Sequence, residues 1–429
     1  MRSFRQLVER LVYRIAGLPV AIRELPAIFR GEADDPLRHA FASRYWRPDR
    51  ALDWLHIGFA VFAWPLALLL GSAWFTARNG PLIRQRYGKT LSVQFREQIR
   101  LYFLAGVLPP WYYIFSLHQD GNRRANSFIH RFEANAFKLL RPTRASPLND
   151  KAQFAEFCIE RGIRCIGTAM LLYGSPPVGR LPDHDLFIKK IRGRGGRGAE
   201  RWDCVRPGHF ISVSGVRLSG EDLLRELIAK SRHAPLLVQR RLHAHRKLAE
   251  VTSGALPTVR ILTCLDEHQT PEVMVAVIRT SFGDNITVDN LHAGGIGALV
   301  CLESGAISKV SDLGMDARLG WFSVHPDTGA GMEGRVIPFW KETKALALAA
   351  HRHFDDRVVI GWDIAVLDDG PIVVEGNSSP CMDIMQRFMH EGLRQHRFGE
   401  LLAHHISQAL ASPTPIAGHQ TAGLSKIQF

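Results

Sequence analysis

The stretch that decides the fold is residues 358–383, which read VVIGWDIAVLDDGPIVVEGNSSPCMD. Two extended apolar runs flank the triplet Asp-Asp-Gly at 368–370, a composition typical of the tight turn of a β-hairpin. With the turn centred on the second aspartate, Asp363 lies opposite Glu375. Asn377 shares a face with Glu375, because side chains alternate along a strand. The stretch therefore predicts a hairpin that directs two carboxylates and one carboxamide to a single place.

This group of side chains has the chemistry of a metal site. Two carboxylates directly opposite each other on a sheet repel, so the pair requires a cation. All three groups offer oxygen, and hard divalent ions such as Mg²⁺ accept oxygen ligands and share them with substrate phosphates. We predict that Asp363, Glu375 and Asn377 hold Mg²⁺, with Mn²⁺ as a substitute. The alternative is a surface hairpin with solvated acids, which the surrounding Val and Ile residues disfavour.

The composition is that of a globular chain with an anionic partner. The 429 residues are 46% hydrophobic and 22% charged, enough for a core divided over two or three lobes. The six cysteines are scattered and form no Cys-x-x-Cys pair, which argues against a zinc site or a disulfide framework and for a reducing compartment. The net charge of +13 and the pI of about 9.8 suit a nucleotide, a nucleic acid or an anionic lipid.

The first 80 residues contain two candidate membrane elements. Residues 1–30 show the spacing of a basic amphipathic helix, which lies on an anionic membrane or packs as an ordinary surface helix. Residues 57–77 contain no charged side chain and, at ~1.5 Å per residue, form a helix about 30 Å long that can cross a bilayer. Pro65 would kink this helix or turn it back, and a buried core helix is the alternative. No secretory signal is apparent.

From residue 150 onwards the sequence is typical of a soluble α/β protein. Asp150 is the expected N-cap of a helix over 151–162, and a strand over 185–190 leads into a Gly-rich loop. Residues 101–117 are expected to be buried, and 412–429 to form a loose terminus. Further strands are predicted at 201–205, 209–213, 236–239, 259–264, 273–279 and 298–302, and further helices at 221–231, 341–354 and 391–410.

The Gly-rich loop at 192–198, RGRGGRG, has three interpretations. Gly193, Gly195 and Gly198 match the dinucleotide-binding pattern, but that pattern needs a following helix, and 199–205 looks like a strand. An RGG-type nucleic-acid segment is normally long, whereas this loop is a short link between strands. The interpretation we favour is a hairpin flap that closes over nucleotide phosphates with its backbone N–H groups and arginines. A plain glycine-rich turn is the remaining alternative.

Taken in order, these motifs resemble those of the ATP-grasp superfamily, and within it the sugar-transfer-associated, hexapeptide-transferase-like family. A lysine that ends a strand precedes the flap, a strand ending in Gln239 follows, and the acid hairpin comes last. The similarity runs from about residue 148 to 386. It is carried by the phrases DLFIKKIRGRGGRG, LLVQRRL, LPTVRILT, TVDNLHAGGIG, HPDTG and IGWDIAVLDDGPIVVEGNSSP.

The resemblance implies an α+β fold in which two lobes enclose ATP, preceded here by a helical, apolar N-terminal region. In this superfamily ATP phosphorylates a carboxylate, and an amine or a thiol attacks the acylphosphate. Carried over by motif, the hairpin triad holds the metal, and the nucleotide is bound by Lys151, Lys189, Gly195, Gly196, Gly198, Val238, Gln239 and Arg240. Relatives commonly have proline after the strand lysine. Lys190 stands there instead, which leaves open which of the two lysines reaches the phosphates.

Two arginines are candidates for the catalytic groups. Phosphoryl transfer depends on positioning and on charge stabilisation, and the planar guanidinium suits both phosphate and carboxylate. We predict that Arg260 and Arg279 contact the transferred phosphate and the substrate carboxylate, with structural salt bridges as the alternative. His325 stays outside the catalytic set, because a lone histidine is more often structural.

These motifs predict an ATP- and Mg²⁺-dependent ligase that joins a small-molecule or peptide carboxylate to an amine, in envelope polysaccharide or peptide modification. Because ATP is cytoplasmic, the catalytic part is expected at the cytoplasmic face of the inner or plasma membrane, with no specific nucleic-acid partner. A membrane-associated ATP-binding accessory protein without turnover is the alternative. The predicted divisions are an N-terminal region at 1–100, an N-terminal α/β part at 101–180, a small lobe at 181–240, a C-terminal lobe at 241–411 and a tail at 412–429.

Overall fold

The structure is a computed structural model in which the chain divides into two compact units. Unit 1 comprises Met1–Thr143, Gly314–Leu319 and Cys381–Phe429, and unit 2 comprises Arg144–Leu313 and Gly320–Pro380. The five-part division expected from the sequence stays a prediction. The residues that the structure describes are 2–30, 34–48, 51–130, 132–133, 137, 140, 146–193, 196, 198–284, 286–315 and 317–411.

The described residues contain α-helices and β-strands in two different arrangements, helical in unit 1 and mixed in unit 2. The helices are α1 Arg2–Arg23, α2 Leu25–Arg30, α3 Pro36–Trp46, α4 Ala51–Tyr87, α5 Leu91–Ala105, α6 Pro109–Ile114, α7 Leu117–Arg124, α8 Lys151–Glu160, α9 Gly220–Ser231, α10 Arg246–Ala249, α11 Trp340–Arg352, α12 Met382–Met389 and α13 Arg397–Ala411. The strands are β1 Met170–Leu172, β2 Leu186–Lys190, β3 Glu200–Arg206, β4 His209–Ser212, β5 Arg217–Ser219, β6 Leu236–Arg240, β7 Thr258–Leu265, β8 Pro271–Thr280, β9 Ile296–Leu299, β10 Val359–Leu367 and β11 Gly370–Asn377.

Unit 1 is built around α4, a helix of 37 residues. It is long and apolar enough to cross a membrane by length and composition, with a mean hydropathy of 1.8 over its most apolar 18 residues. The helix continues through Pro65, so the alternative in which the chain turns back at this proline is wrong. Near its C-terminal end, Arg86 donates hydrogen bonds to the carbonyl oxygens of Ala317 at 2.7 Å and Arg318 at 2.6 Å. These bonds attach the inserted segment Gly314–Leu319 to unit 1.

The first sheet of unit 2 has six strands in the order β1-β6-β2-β3-β4-β5. Leu186 and Ile188 of β2 are buried in a core that includes Leu223 and Leu227 of α9. Because side chains alternate along a strand, Phe187 and Lys189 point to the other face of the sheet. The Gly-rich loop joins the antiparallel pair β2 and β3, which confirms the hairpin and excludes the dinucleotide-binding interpretation, since no helix follows the loop.

The second sheet of unit 2 has the order β11-β10-β7-β8-β9 and is antiparallel throughout. β7 is buried along its whole length. Trp362 of β10 packs on Phe354, which follows α11, with ring centroids 5.7 Å apart. Phe354 also contacts Phe154 of α8 at 6.2 Å. Since Asp363 follows Trp362, its side chain points to the face opposite these aromatic rings.

Most of the elements predicted after residue 150 are confirmed, including the helix that Asp150 caps. The strand expected at 298–302 instead lies at Ile296–Leu299. The helix expected at 391–410 begins only at Arg397, because Gly392 is extended and a 3₁₀ turn intervenes. The sequence patterns missed the three-residue strands β1 and β5 and the helices α10 and α12. The tail at 412–429 lies outside the described residues.

Candidate active site

The acid hairpin forms as predicted, although the turn that produces it differs. Asp363 pairs with Glu375, which confirms the predicted register. Leu367 pairs with Gly370, so the turn contains two residues rather than the three that a turn centred on the second aspartate requires. Ile364 pairs with Val373, which leaves Val374 as the extra residue of a β-bulge. The bulge compensates for the shorter turn and brings the two acids opposite each other.

Asp363 is bound by two arginines from neighbouring strands. Arg260 lies directly opposite Asp363 on β7. Its Nη2 donates to Oδ2 at 2.7 Å, and its Nε donates to Oδ1. Nη2 of Arg279 lies 3.0 Å from Oδ2 of the same carboxylate. Burial alone would raise the pKa of Asp363, but the two guanidinium groups outweigh it and hold the pKa below its ordinary value. The predicted catalytic arginines and the predicted metal ligand thus form one buried ion cluster.

Asp289 is a further acid of this cluster, and sequence reasoning did not place it in the site. Nη2 of Arg279 donates to Oγ1 of Thr258 at 2.7 Å and to Oδ2 of Asp289 at 3.2 Å. The Thr258 hydroxyl in turn donates to Asp289. Burial raises the pKa of Asp289, while Arg279 opposes that shift. Thr258 and Arg279 are cross-strand partners on β7 and β8, so only the sheet register could have indicated this contact.

Two lysines complete the charged cluster. Burial lowers the pKa of Lys189 to about 8, although the negative charges of Glu375 and Asp363 counteract that shift. Nζ of Lys151, at the start of α8, lies 3.9 Å from Oε2 of Glu375. The structure therefore brings Lys151 and Lys189 to the acid hairpin. Lys190 is exposed and instead lies beside the flap. The site joins four cationic side chains to three carboxylates, so an anionic ligand would balance its charge.

The described part of the flap contacts Lys151 of α8 and Val288 in the segment between β8 and β9. Nζ of Lys151 donates to the carbonyl oxygen of Gly193 at 2.9 Å. Gly196 has a φ of +66°, and a Cβ there would lie 2.6 Å from the Val288 side chain. The chain therefore needs glycine at 196 both for its backbone conformation and for the contact with Val288. Gly198 is also described, whereas Gly195, the remaining predicted flap residue, lies outside the described residues.

Strand β6, which carries the predicted nucleotide-binding residues Val238, Gln239 and Arg240, contributes a buried amide. Nε2 of Gln239 donates to the carbonyl oxygens of Ile166 and Gly167 at 3.3 Å. Its Oε1 is buried without a partner among the described residues, so a ligand donor could satisfy it. Val238 is paired with strands on both sides, and its carbonyl oxygen accepts from Ala169. The backbone hydrogen-bonding groups of Val238 are therefore largely occupied within the sheet and are not available to a ligand.

Arg240, the last residue of β6, lines an open pocket of about 360 Å³. The pocket lies at the sheet end where β6 leaves and β2 begins. At its wall, Nε2 of His243 lies 3.2 Å from Oδ2 of Asp185. The other lining residues are Asp183, His184, Cys204, Arg206, Pro207 and Arg241.

The donor set fits Mg²⁺ delivered with a polyphosphate better than Mg²⁺ alone. No group of three or more His, Cys, Asp or Glu side chains in the described part of the chain could hold a metal ion. Glu375 and Asn377 share one face of β11, and Asp363 lies opposite Glu375, so two carboxylates and one amide lie together, although both oxygens of Asp363 already contact arginines. Mg²⁺ is usually bound by one or two carboxylates together with substrate phosphates and water. Glu375 is the more accessible of the two carboxylates, with 31% of its side chain exposed against 7% for Asp363.

Two antiparallel sheets, a Gly-rich hairpin on the first and paired acids on the second define an ATP-grasp protein. The model of the sugar-transfer associated ATP-grasp family matches residues 133–400, more than half of the chain. The chain therefore belongs to this family, and ATP-grasp family members are ATP-dependent ligases.

The solved structures that match this chain share little sequence with it. D-alanyl-alanine synthetase A from Vibrio cholerae is 11% identical, covers 62% of this chain and 66% of its own, and has a TM-score of 0.36. N5-carboxyaminoimidazole synthase from Aspergillus clavatus, solved with ADP and 5-aminoimidazole ribonucleotide, is 15% identical. The match covers 58% of this chain and 50% of that protein, with a TM-score of 0.32. D-alanine–D-alanine ligase from Bacillus anthracis, solved with ATP, is 10% identical. The match covers 61% of this chain and 63% of that protein, with a TM-score of 0.32. The chain thus spans about two thirds or less of these proteins. A search of curated proteins gave no significant match.

The contact between Gly196 and Val288 can be tested by substitution. Gly196→Ala strains a left-handed backbone by ~1–2 kcal/mol and forces the flap away from Val288. We expect the KM for ATP to rise roughly 5–30-fold, measured by ADP release at varied ATP concentration. Gly208→Ala is the matched control, because Gly208 has a φ of +70° in another hairpin and no atom within 4 Å of an added Cβ. Equal effects of the two changes would contradict a role for the contact.

Proposed function

We propose that the protein is an ATP- and Mg²⁺-dependent ligase that activates a carboxylate as an acylphosphate and transfers the acyl group to an amine or a thiol. The observation that carries this proposal is the convergence of Lys151, Lys189, Arg260 and Arg279 on the acid hairpin. Phosphoryl transfer requires such a group of cations and oxygen ligands, because its catalysis is mainly positioning and charge stabilisation. Mn²⁺ would serve as a substitute for Mg²⁺.

The residues divide into three tasks in this proposal. Lys151 and Lys189 neutralise the phosphates, and the flap covers them. Glu375, Asn377 and Asp363 hold Mg²⁺, which would balance charge on the phosphate oxygens. Arg279 is better suited than Arg260 to the substrate anion, because its buried Nε has no partner among the described residues, whereas Nε and Nη2 of Arg260 both donate to Asp363.

The proposed reaction has two steps. A carboxylate oxygen of the substrate attacks the γ-phosphorus of ATP, the bond to the β–γ bridging oxygen breaks, and ADP leaves. The acceptor nitrogen then attacks the acyl carbon, the bond to the phosphate oxygen breaks, phosphate leaves and the nitrogen loses a proton. The amide formed retains the acyl group. We further propose that the substrate belongs to envelope polysaccharide or peptide modification and that the protein acts at the cytoplasmic face of the membrane. The family description, sugar-transfer associated, supports the polysaccharide part of this proposal.

ADP release tests the proposal without knowledge of the natural acceptor. The full-length protein is incubated with Mg²⁺-ATP, a panel of carboxylates and hydroxylamine, a small nucleophile that converts acylphosphates to hydroxamates. We expect ADP and hydroxamate to form in equal amounts with at least one carboxylate, and EDTA to stop both. ADP without hydroxamate would contradict the acylphosphate step. Absence of ATP binding in the presence of Mg²⁺ would overturn the whole proposal.

A second candidate is a membrane-associated ATP-binding accessory protein without ligase turnover. One observation favours it: both oxygens of Asp363 already contact arginines, so this carboxylate is neutralised without a metal ion. Saturable binding of Mg²⁺-ATP without ADP release for any carboxylate in the panel would select this alternative over the ligase.

A further inference from the structure

The apolar helix α4 has an inverted distribution of polarity. Its sequence carries no Asp, Glu, Lys or Arg between Trp54 and Ala77, and only 22% of its most apolar window is buried. A water-facing helix normally buries its apolar side and exposes its polar side. Along α4, large apolar side chains are exposed at intervals of three and four residues, including Leu52, Leu55, Phe59, Phe62, Leu66 and Leu69.

The buried side of the same helix is partly polar. Ser72, Thr76 and Asn79 of α4 are buried inside unit 1. Thr76 accepts a hydrogen bond from Nε2 of Gln98 on α5 at 2.7 Å, and Nδ2 of Asn79 donates to the carbonyl oxygen of Met315 at 3.1 Å. Polar side chains turned inward and apolar side chains turned outward are the arrangement of a helix in lipid. The exposed face of α4 therefore fits a hydrocarbon environment better than water.

The neighbouring helix α5 indicates how α4 would meet that environment. Trp64 of α4 stacks on Tyr102 of α5, with ring centroids 5.8 Å apart. The Thr76–Gln98 bond marks a second level, later in α4 and one turn earlier in α5. Arg100 of α5 is exposed and lies between those levels. If α4 crossed a bilayer, Arg100 would enter its apolar middle, where a charged side chain is strongly disfavoured. If α4 lies along the surface, Arg100 stays among the headgroups.

The charges around α4 suit an anionic surface. Arg78 follows the apolar stretch, and its guanidinium lies 5.3 Å from the ring centroid of Trp74. Arg44 and Arg47 precede the helix and are exposed, and so is Arg84 near its end. Arginines beside an interfacial helix are attracted to anionic headgroups, while a neighbouring tryptophan occupies the membrane–water boundary. Both ends of the apolar stretch thus carry groups that bind headgroups.

We propose that α4 lies in the plane of an anionic membrane, with its exposed apolar face among the acyl chains, and does not cross the bilayer. Unit 1 would then be a monotopic anchor whose partner is the lipid surface. This proposal specifies the membrane attachment in the proposed function but does not depend on ligase chemistry. Loss of membrane binding would leave the ADP-release result unchanged, and loss of ADP release would leave membrane binding unchanged.

Vesicle flotation of the full-length protein tests the surface. We expect binding to vesicles of phosphatidylcholine and phosphatidylglycerol, and at least tenfold weaker binding to phosphatidylcholine alone. Phe62→Asp combined with Leu66→Asp should reduce binding at least tenfold, and the fold should persist because both side chains are exposed. Val216→Asp is the matched control at an exposed apolar residue of unit 2 and should bind like the wild type. Equal binding of the double variant and the control would overturn the proposal.

The same experiments would reveal two other occupants of the apolar face, each by a different result. A dimer that forms without vesicles and is disrupted by the double variant would identify a second copy of the chain, and would overturn the lipid assignment if vesicles do not bind. A chain truncated after Ala411 that binds vesicles when the full chain does not would identify the C-terminal tail as the occupant, with the same consequence.

Labelling of α4 distinguishes an in-plane helix from a spanning one. Ala51→Cys and Gln85→Cys lie near the two ends of the helix and at exposed positions. Each variant is bound to preformed sealed vesicles and treated with a membrane-impermeant maleimide. Peptide mapping separates the new site from the six native cysteines. We expect both positions to be labelled. Labelling of one end and protection of the other would show a span and overturn the in-plane arrangement.

Discussion

Replacement of Glu375 by glutamine should reduce ADP release by roughly 10²–10³-fold, the usual effect of removing one group that stabilises transition-state charge. Glutamine retains the size of the side chain and one oxygen but removes the negative charge that faces Lys151 at 3.9 Å. Because 31% of the Glu375 side chain is exposed and Asp363 still offsets the charge of Lys189, the change leaves no uncompensated charge in a dry interior. We therefore expect a large loss of activity with little loss of stability.

The measurement compares ADP release and the melting temperature of the same preparation. We expect kcat to fall while the melting temperature without nucleotide stays within about 2 °C, since surface substitutions change stability by about 0.5 kcal/mol or less. Glu303→Gln, at an exposed residue of unit 2, is the matched control and should keep full activity. Addition of Mg²⁺-ATP should raise the melting temperature of the wild type more than that of the variant. Wild-type activity of Glu375→Gln would contradict the metal assignment.

The acid hairpin illustrates what local sequence patterns can and cannot predict. Alternation and turn composition were enough to place Asp363 opposite Glu375. The pairing nevertheless arises from a two-residue turn and a bulge at Val374, and two compensating shifts cannot be recognised from composition. A register error of one residue would have turned the acids to opposite faces. The success therefore depended on the pattern of the carboxylates rather than on knowledge of the turn.

Contacts between residues far apart in the sequence were harder to predict than the pairing within the hairpin. Arg260 and Arg279 were expected to contact the transferred phosphate and the substrate carboxylate, and that role stays a prediction. In the structure both arginines form ion pairs with Asp363, which was expected to hold a metal ion. Asp289 was missed because its approach to Thr258 depends on the loop that follows β8. Long-range pairing of this kind is fixed by tertiary packing rather than by local propensity.

The burial of the cluster has a second consequence, which concerns stability. Asp363→Ala should lower the free energy of unfolding by about 3–5 kcal/mol, the cost of removing one partner from a buried ion pair. Arg260 is 8% exposed and Arg279 is 6% exposed, so both guanidinium groups would lose their shared carboxylate in a low-dielectric interior. Chemical denaturation of the full chain measures the change in the free energy of global unfolding. Hydrogen exchange of the β7 and β10 amides measures local opening of the sheet at the cluster.

A double substitution separates the electrostatic cause from simple loss of packing. Asp363→Leu with Arg260→Met replaces the pair by apolar groups of similar size, a change that is often neutral or stabilising for buried pairs. We expect this variant to recover most of the stability that Asp363→Ala loses, while it remains as inactive as Asp363→Ala. If Asp363→Ala instead melts like the wild type, the carboxylate is not neutralising the arginines, and its assignment to the metal alone becomes the better account. Loss of activity in Asp363→Ala by itself cannot decide between these roles, because the same carboxylate holds the sheet together, and for this reason Glu375 provides the cleaner test of metal binding.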